Sequence, residues 1–302
     1  MSRSLLCASL VSVLLTLFAG EPGHAGTVLL KNTWLKSHKN RVTATGNCHI
    51  DKSHQHPNGI GTGGEDGDLH MACRCSSIGL PMVAEIVNAA NFDDAVATAK
   101  DAAAHKTMTQ LTGVWRLWLE HPATNPQTQG AAVPIPGNTN PDHSFEIHPL
   151  MKIGSDDLDA SFVTIPGYKA YAAKTAFQDY EKRTFQVSRA GAYTAIEGTK
   201  AKYNYAGFRF TVAGKPKKVA DGWFVLATID GVVSDPRRMV AAEGTSPAAL
   251  IATAQKGMRY QAVGVPRINL ERIDDVISKH PHETIPVSAA YEMILVTLAK
   301  VP

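Results

Sequence analysis

The chain has 302 residues, of which 44% are hydrophobic and 19% are charged, and its formal net charge is +3. This composition excludes a disordered chain, a collagen-like repeat and a long coiled coil. The positive charge is too small for this length to indicate a nucleic-acid-binding protein. We therefore expect a soluble globular protein, and the length indicates two domains.

Residues 1–25 have the pattern of a secretory signal peptide. Arg3 supplies a positive charge, an apolar run follows at residues 5–18, and small residues stand at Gly23 and Ala25. The run is too short to span a bilayer comfortably, and no later segment is apolar enough to do so. We expect the leader to be removed and the mature chain to be periplasmic or secreted, without a membrane span.

Residues 26–155 are predicted to form five strands and one helix. The strand-like runs lie at 40–50, 68–75, 81–89, 109–118 and 143–153, and an alanine-rich helix is predicted at 92–105. Two long loops rich in glycine, proline and polar residues follow the first and fourth of these strands.

Residues 156–302 repeat this order after a predicted connecting helix at 168–182. The strands are predicted at 205–214, 221–231, 237–244, 257–270 and 289–300, with a helix at 246–256. Short motifs also align between the halves, such as Gly113-Val114 with Gly264-Val265. A helix between the third and fourth of five strands is the arrangement of the oligonucleotide/oligosaccharide-binding (OB) fold. The sequence therefore predicts a mainly β protein of two tandem OB-like five-stranded barrels, each in the order β-β-β-α-β-β.

Three cysteines remain once Cys7 is removed with the leader. In an oxidising compartment, Cys48 is expected to form a disulfide with Cys73 or Cys75, leaving one thiol. Cys73 and Cys75 face the same side of one strand, so a bond between them has poor geometry. A Cys-x-Cys metal site and three buried thiols are the alternatives.

Histidines and carboxylates are concentrated in the first predicted barrel. Alternation places Asp68, His70 and Arg74 on one face of the second strand, and Glu146 and His148 on one face of the fifth. The third strand carries Glu85 between apolar neighbours. If these faces meet, the candidate ligands converge, and they suit a divalent ion such as zinc or manganese; they are His70, Glu85, Glu146 and His148.

Other interpretations of these residues stay open. They are also consistent with exposed polar side chains on a barrel surface or with a hydrogen-bonded cluster that needs no metal. The second half has Val225 and Ile294 where the first has His70 and His148, so the fold itself does not require the imidazoles. Candidate ligand-binding residues near the same surface are Asp68, Arg74, Trp115 and His143; the tryptophan stacks on a ligand only if it is exposed.

Three short motifs resemble a largely uncharacterised group of exported bacterial proteins. They are Asp66-Gly67-Asp68-Leu69-His70, Met82-Val83-Ala84-Glu85-Ile86 and Phe145-Glu146-Ile147-His148-Pro149. The group pairs a D-x-H strand with an A-E-I strand and an E-[IL]-H-P strand, and the resemblance covers about residues 40–153. It implies an exported domain with a shared polar constellation, but no reaction, and the second half has no matching motif.

Two function classes fit the sequence. The first is an exported binding protein whose first barrel holds a ligand. The ligand is either a small molecule or sugar bound through a divalent ion, or a metal ion itself. The second is a metal-dependent phosphodiester hydrolase, in which the ion activates a water molecule and Arg74 or Arg116 neutralises phosphate charge. We find no Ser-His-Asp or Cys-His arrangement, and the glycine-rich segment 61–67 lacks the Gly-Lys-Ser/Thr ending of a phosphate-binding loop.

Overall fold

The computed structural model describes residues 25–301, so the predicted leader lies outside the described residues except for Ala25, which begins the first strand. Within this range no helix is long and apolar enough to cross a membrane.

The described chain is mostly β-structure. Up to residue 157 the elements are β1 (Ala25–Lys31), α1 (Asn32–His38), β2 (Thr43–Ser53), β3 (Leu69–Cys75), β4 (Pro81–Ile86), α2 (Asp93–His105), β5 (Met108–His121), β6 (Gln127–Thr128), β7 (His143–Ile153) and β8 (Asp156–Asp157). The remaining elements are β9 (Tyr171–Ala172), α3 (Ala173–Lys182), β10 (Thr184–Ala190), β11 (Tyr193–Thr199), β12 (Ala206–Val212), β13 (Lys217–Val219), β14 (Gly222–Ile229), β15 (Val233–Ala242), α4 (Ser246–Ala252), β16 (Arg259–Ile268), α5 (Leu270–Lys279), β17 (Thr284–Ser288) and β18 (Tyr291–Val301).

Two closed five-stranded barrels confirm the predicted fold class. In the first barrel the strand order is β2-β3-β4-β7-β5, and β5 pairs back onto β2. In the second the order is β12-β14-β15-β18-β16, and β16 pairs back onto β12. Each barrel has a parallel pairing of its third and fifth strands and a helix between its third and fourth, α2 or α4. Both are OB-like barrels, as the repeated order of segments predicted.

The aligned glycines Gly113 and Gly264 occupy the same place in the two barrels. Each lies at a register shift in the antiparallel pairing of the fourth strand with the fifth. A Cβ on Gly113 would lie 2.5 Å from the Pro149 carbonyl oxygen, and one on Gly264 would lie 2.5 Å from that of Ile294. Since no side chain fits there, the repeated glycine reflects the same close approach of two backbones in each half.

A third sheet, which the sequence did not predict, joins the two halves. Its order is β17-β10-β11-β1-β6, so the N-terminal strand β1 lies between a strand from the connecting region and a strand from a loop of the first barrel. The connecting helix α3 is shorter than predicted, since it begins at Ala173 rather than at Tyr168. The sheet takes strands from both sides of the predicted boundary at residue 155.

Two fully buried arginines link the barrels in a nearly symmetric way, since each donates to a backbone carbonyl of the other barrel. Arg116 on β5 donates from Nε to the Pro266 carbonyl, at 3.0 Å, and Arg267 on β16 donates to the Trp115 carbonyl, also at 3.0 Å. Each arginine also pairs with the glutamate facing it on the fifth strand of its own barrel: Arg116 with Glu146, and Arg267 with Glu292. These contacts fix the two barrels against each other.

Cys48 and Cys75 form the disulfide, between facing positions of β2 and β3. Cys73 is the remaining thiol of the described chain, and it is buried in the core of the first barrel. This pairing is one of the two that the sequence left open.

Candidate functional site

The polar cluster lies on the outer face of the first barrel, on β3, β4 and β7. Alternation sets this placement: Leu69 and Met71 on β3, and Phe145 and Ile147 on β7, point into the core. The residues between them therefore face outward. The three strands are neighbours in the order β3-β4-β7, so the predicted convergence of His70, Glu85, Glu146 and His148 is what their register produces.

The first group of candidate ligands is Asp68, His70 and Glu85, whose ligand atoms all lie within 4.8 Å of one another. His70 Nε2 contacts Asp68 Oδ2 and lies 3.7 Å from Glu85 Oε1. Asn58 supports Asp68 by donating from Nδ2 to its Oδ1, at 2.6 Å. The side chain of His70 is 17% exposed, so this group adjoins solvent.

A second group, Glu85, Glu146 and His148, shares Glu85 with the first and satisfies the same distance limit. His148 Nδ1 lies 2.9 Å from Glu85 Oε2 and 3.2 Å from Glu146 Oε2. Glu146 is already well partnered, since Arg116 pairs with its Oε2 and His143 Nε2 lies 3.1 Å from its Oε1. This group is the inner, fully buried end of the cluster.

The second barrel covers the cluster. Tyr205, one residue before β12, places its hydroxyl 2.6 Å from His148 Nε2. Tyr168 donates to the Gly63 carbonyl and ties the long loop after β2 to the connecting region. The interpretation as an exposed polar surface is therefore wrong for Glu85, Glu146 and His148, which the packing of the second barrel and the connecting region leaves buried, while His70 stays partly exposed.

Three buried polar atoms in or beside the first group have no hydrogen-bond partner among residues 25–301. They are Asp66 Oδ1, His70 Nδ1 and Glu85 Oε2, and the last of them lies within ion-pair distance of His148. Asp66 lies close enough to Asp68 for the two carboxyl groups to interact. Buried polar groups are nearly always satisfied by protein, water or a ligand, so a water molecule or a ligand is expected beside these atoms.

Burial and the charges within the cluster strongly shift the pKa values of His70, His148 and Asp66. Burial disfavours the imidazolium form of His70, but Glu85 and Asp68 outweigh burial and raise its pKa to about 10. Burial also opposes charge on His148, and Glu85 and Glu146 again raise its pKa to about 10. Burial and the nearby charges of Asp68 and Glu85 raise the pKa of Asp66 to about 8. Without a metal, protons on these three groups balance the carboxylates at neutral pH.

The metal-free protein is expected to lose stability as the pH rises from about 7 to about 9.5. Histidines of the unfolded chain lose their protons near pH 6.5, whereas the folded pKa of His70 and of His148 is about 10. In this window the native state binds more protons than the unfolded state, so the free energy of unfolding falls. Urea unfolding after treatment with a chelator measures the effect.

His70→Gln should flatten this pH profile, while His105→Gln, at an exposed position on α2, should leave it unchanged. A wild-type stability that is constant or rises over the same interval would contradict the assignment of the extra protons to this cluster.

The other predicted ligand-binding residues lie in different surroundings. Asp68 and His143 belong to the cluster. Arg74 lies further along β3, where its Nε and Nη2 bind both oxygens of Asp51. Trp115 is fully buried, donates from Nε1 to the Arg41 carbonyl and lies under the guanidinium of Arg267, so it offers no exposed stacking surface.

Sequence reasoning missed Asp66, Asn58 and Tyr205 as parts of the site. Asp66 stands in the motif at 66–70, and its position two residues before Asp68 is a signal in the sequence that points to it. Tyr205 reaches the cluster only through the packing of the barrels, which no local pattern reveals.

No family model matches the chain, and no curated protein matches its sequence. The site must therefore be interpreted from its own geometry.

Proposed function

We propose that this protein is an exported two-barrel binding protein that holds one divalent metal ion through Asp68, His70 and Glu85. The observation that carries the proposal is the convergence of one imidazole and two carboxylates, all within 4.8 Å, next to buried polar atoms that lack partners. One nitrogen ligand together with two carboxylate oxygen ligands suits zinc or manganese.

The first group is favoured over the second because Glu146, in the second group, already has charged and hydrogen-bonding partners. Glu146 receives Arg116 and His143, and a cation placed beside it would meet the guanidinium charge. In the first group the ion replaces a proton, the one on His70 Nε2. His148 then acts on the ion indirectly, since it holds Glu85 Oε2 and leaves Oε1 facing His70.

Binding is favoured over hydrolysis because the arginines considered for phosphate charge are already paired. Arg116 is fully buried between Glu146, Glu120 and the Pro266 carbonyl. Arg74 is held by Asp51. The first group thus resembles a site that retains an ion more than one that stabilises a transition state.

Export is supported by three features of the chain. The first 25 residues have the pattern of a leader, and the motifs at 66–70, 82–86 and 145–149 resemble those of exported bacterial proteins. The Cys48–Cys75 disulfide suits an oxidising compartment.

The mature protein, stripped with a chelator and dialysed against zinc or manganese, is expected to retain about one equivalent of metal by elemental analysis. Titration calorimetry in two buffers of different ionisation enthalpy should also show proton release, because His70 must lose its proton to bind the ion. The metal-loaded protein should not turn over bis(p-nitrophenyl) phosphate. Retention of no metal would overturn the proposal, and turnover that is lost in Glu85→Gln would favour the hydrolase.

A further inference from the structure

Asp66 is the exception among the buried carboxylates of the chain between residues 25 and 301. Every other buried carboxylate in this range pairs with a histidine, lysine or arginine nitrogen; they are Asp51, Asp68, Glu85, Glu146, Asp274 and Glu292. Asp66 is 1% exposed, has no such pair among the described residues, and its Oδ1 lacks a hydrogen-bond partner. Because a buried carboxylate without a compensating charge is costly, Asp66 requires a proton or a cation.

Asp66 lies beside the ligands of the proposed ion. It is close enough to Asp68 for the two carboxyl groups to interact, and the charge of Glu85 also acts on it. The backbone turns between the two aspartates, since Gly67 has a positive φ of 73°. The Gly67 carbonyl accepts from the backbone N–H of Ala89 at 2.8 Å, which fixes the turn against the end of β4. The cation that Asp66 lacks and the ion of the proposed site therefore belong to the same place.

A bound ion would act on Asp66 more strongly than a proton does. In the metal-free protein a proton compensates the carboxylate, but a divalent cation held by Asp68 and Glu85 attracts the neighbouring carboxylate as a ligand. An oxygen that ligates an ion is enclosed by the other ligands, so the burial of Asp66 Oδ1 agrees with this role.

We infer that Asp66 is a fourth protein ligand of the ion and raises the affinity of the site for manganese relative to zinc. This inference rests on the proposed function. With Asp66, the ligand set contains three carboxylates and one imidazole. Carboxylate oxygens suit manganese, which prefers octahedral sites rich in oxygen, whereas zinc is usually held in four-coordinate sites with nitrogen and sulfur ligands.

Asp66→Asn tests the affinity, because asparagine keeps the shape of the side chain and removes its charge. Manganese binding, measured by the loss of the electron paramagnetic resonance signal of the free ion, should weaken by more than about 100-fold, beyond the range of residues that act only through a ligand. Zinc binding should weaken less. Glu65→Gln, at the exposed neighbouring position, should bind both ions like the wild type. The metal-free Asp66→Asn protein should be at least as stable to urea as the wild type, since it lacks the uncompensated carboxylate.

Asp66→Cys tests for direct coordination. A thiolate bound to cobalt(II) gives a charge-transfer absorption in the near ultraviolet, which a residue that only positions Asp68 cannot produce. The band should appear in cobalt-loaded Asp66→Cys and be absent from the cobalt-loaded wild type and Glu65→Cys. Because thiolates favour zinc, Asp66→Cys should also shift the preference of the site from manganese toward zinc.

The outcomes separate this inference from the proposed function. If the wild type retained neither manganese nor zinc, both would fail. If the wild type retained one equivalent of metal and Asp66→Asn bound manganese with wild-type affinity, only the role of Asp66 would be overturned. A folded Asp66→Cys protein that bound cobalt without the charge-transfer band would also exclude Asp66 as a ligand.

Discussion

Replacing His70 by alanine is expected to weaken divalent metal binding by more than about 100-fold. His70 supplies the only imidazole nitrogen of the group Asp68, His70 and Glu85, and its Nε2 faces both carboxylates. Residues that act on an ion only through its ligands typically change affinity by about 10- to 100-fold, so a direct ligand should exceed that range. Competition titration of zinc against a chromophoric chelator measures the change.

Two further variants separate a ligand from its surroundings. His105→Ala, on the exposed face of α2, should bind metal like the wild type. His148→Asn should fall in the range of about 10- to 100-fold, because the residue positions Glu85 from the inner side. If His70→Ala kept wild-type affinity while His148→Asn lost binding, the ion would lie in the group Glu85, Glu146 and His148 instead.

Arg267→Met is expected to lower the free energy of unfolding by about 3–5 kcal/mol, the cost of breaking a buried ion pair on one side. Arg267 is fully buried and pairs with Glu292 from Nε at 2.6 Å. Its other nitrogens donate to the carbonyls of Val42, Trp115 and Arg41 in the first barrel. The substitution therefore leaves a buried carboxylate less well compensated and three carbonyls without this donor. Urea unfolding followed by circular dichroism measures the loss.

Arg259→Met is the matched control, since it removes an arginine from the same strand. Arg259 pairs with Asp230, but its side chain is 47% exposed, and exposed pairs contribute about 0–1 kcal/mol. The double variant Arg267→Met/Glu292→Met should recover part of the lost stability, because it removes the poorly compensated carboxylate, while Arg238, the other partner of Glu292, keeps its pairing with Glu271. Equal effects of Arg267→Met and Arg259→Met would show that the interface does not depend on the buried guanidinium.

Much of the fold could be predicted because its elements have local signatures. Alternation predicts the core-facing residues of β3 and β7 correctly, since Leu69, Met71, Phe145 and Ile147 lie in the core. The parallel pairing of β4 with β7 follows from the OB order, and it explains why Glu85, isolated in an apolar strand, approaches His148. The aligned glycines also marked a true structural repeat.

The two buried arginines that link the barrels had a signal in the sequence that the prediction did not use. Two residues beyond the aligned glycine-valine pairs stand Arg116 and Arg267, and the aligned fifth strands carry Glu146 and Glu292. An arginine and a glutamate at equivalent positions of both halves, within apolar strands, indicate a buried ion pair in each barrel. What it did not indicate is that each arginine reaches a carbonyl of the other barrel.

The sequence by itself determined the order of strands within each barrel, the outward face of β3 and β7 and the concentration of histidines in the first half, because these depend on local alternation and composition. Only the tertiary structure decided that this face is covered by Tyr205 and that Glu146 is occupied by Arg116. It also decided that β1 pairs with β11. The physical reason is that burial and charge compensation arise from contacts between residues far apart in the chain. The same packing that removes the cluster from water makes its carboxylates require protons or a metal ion.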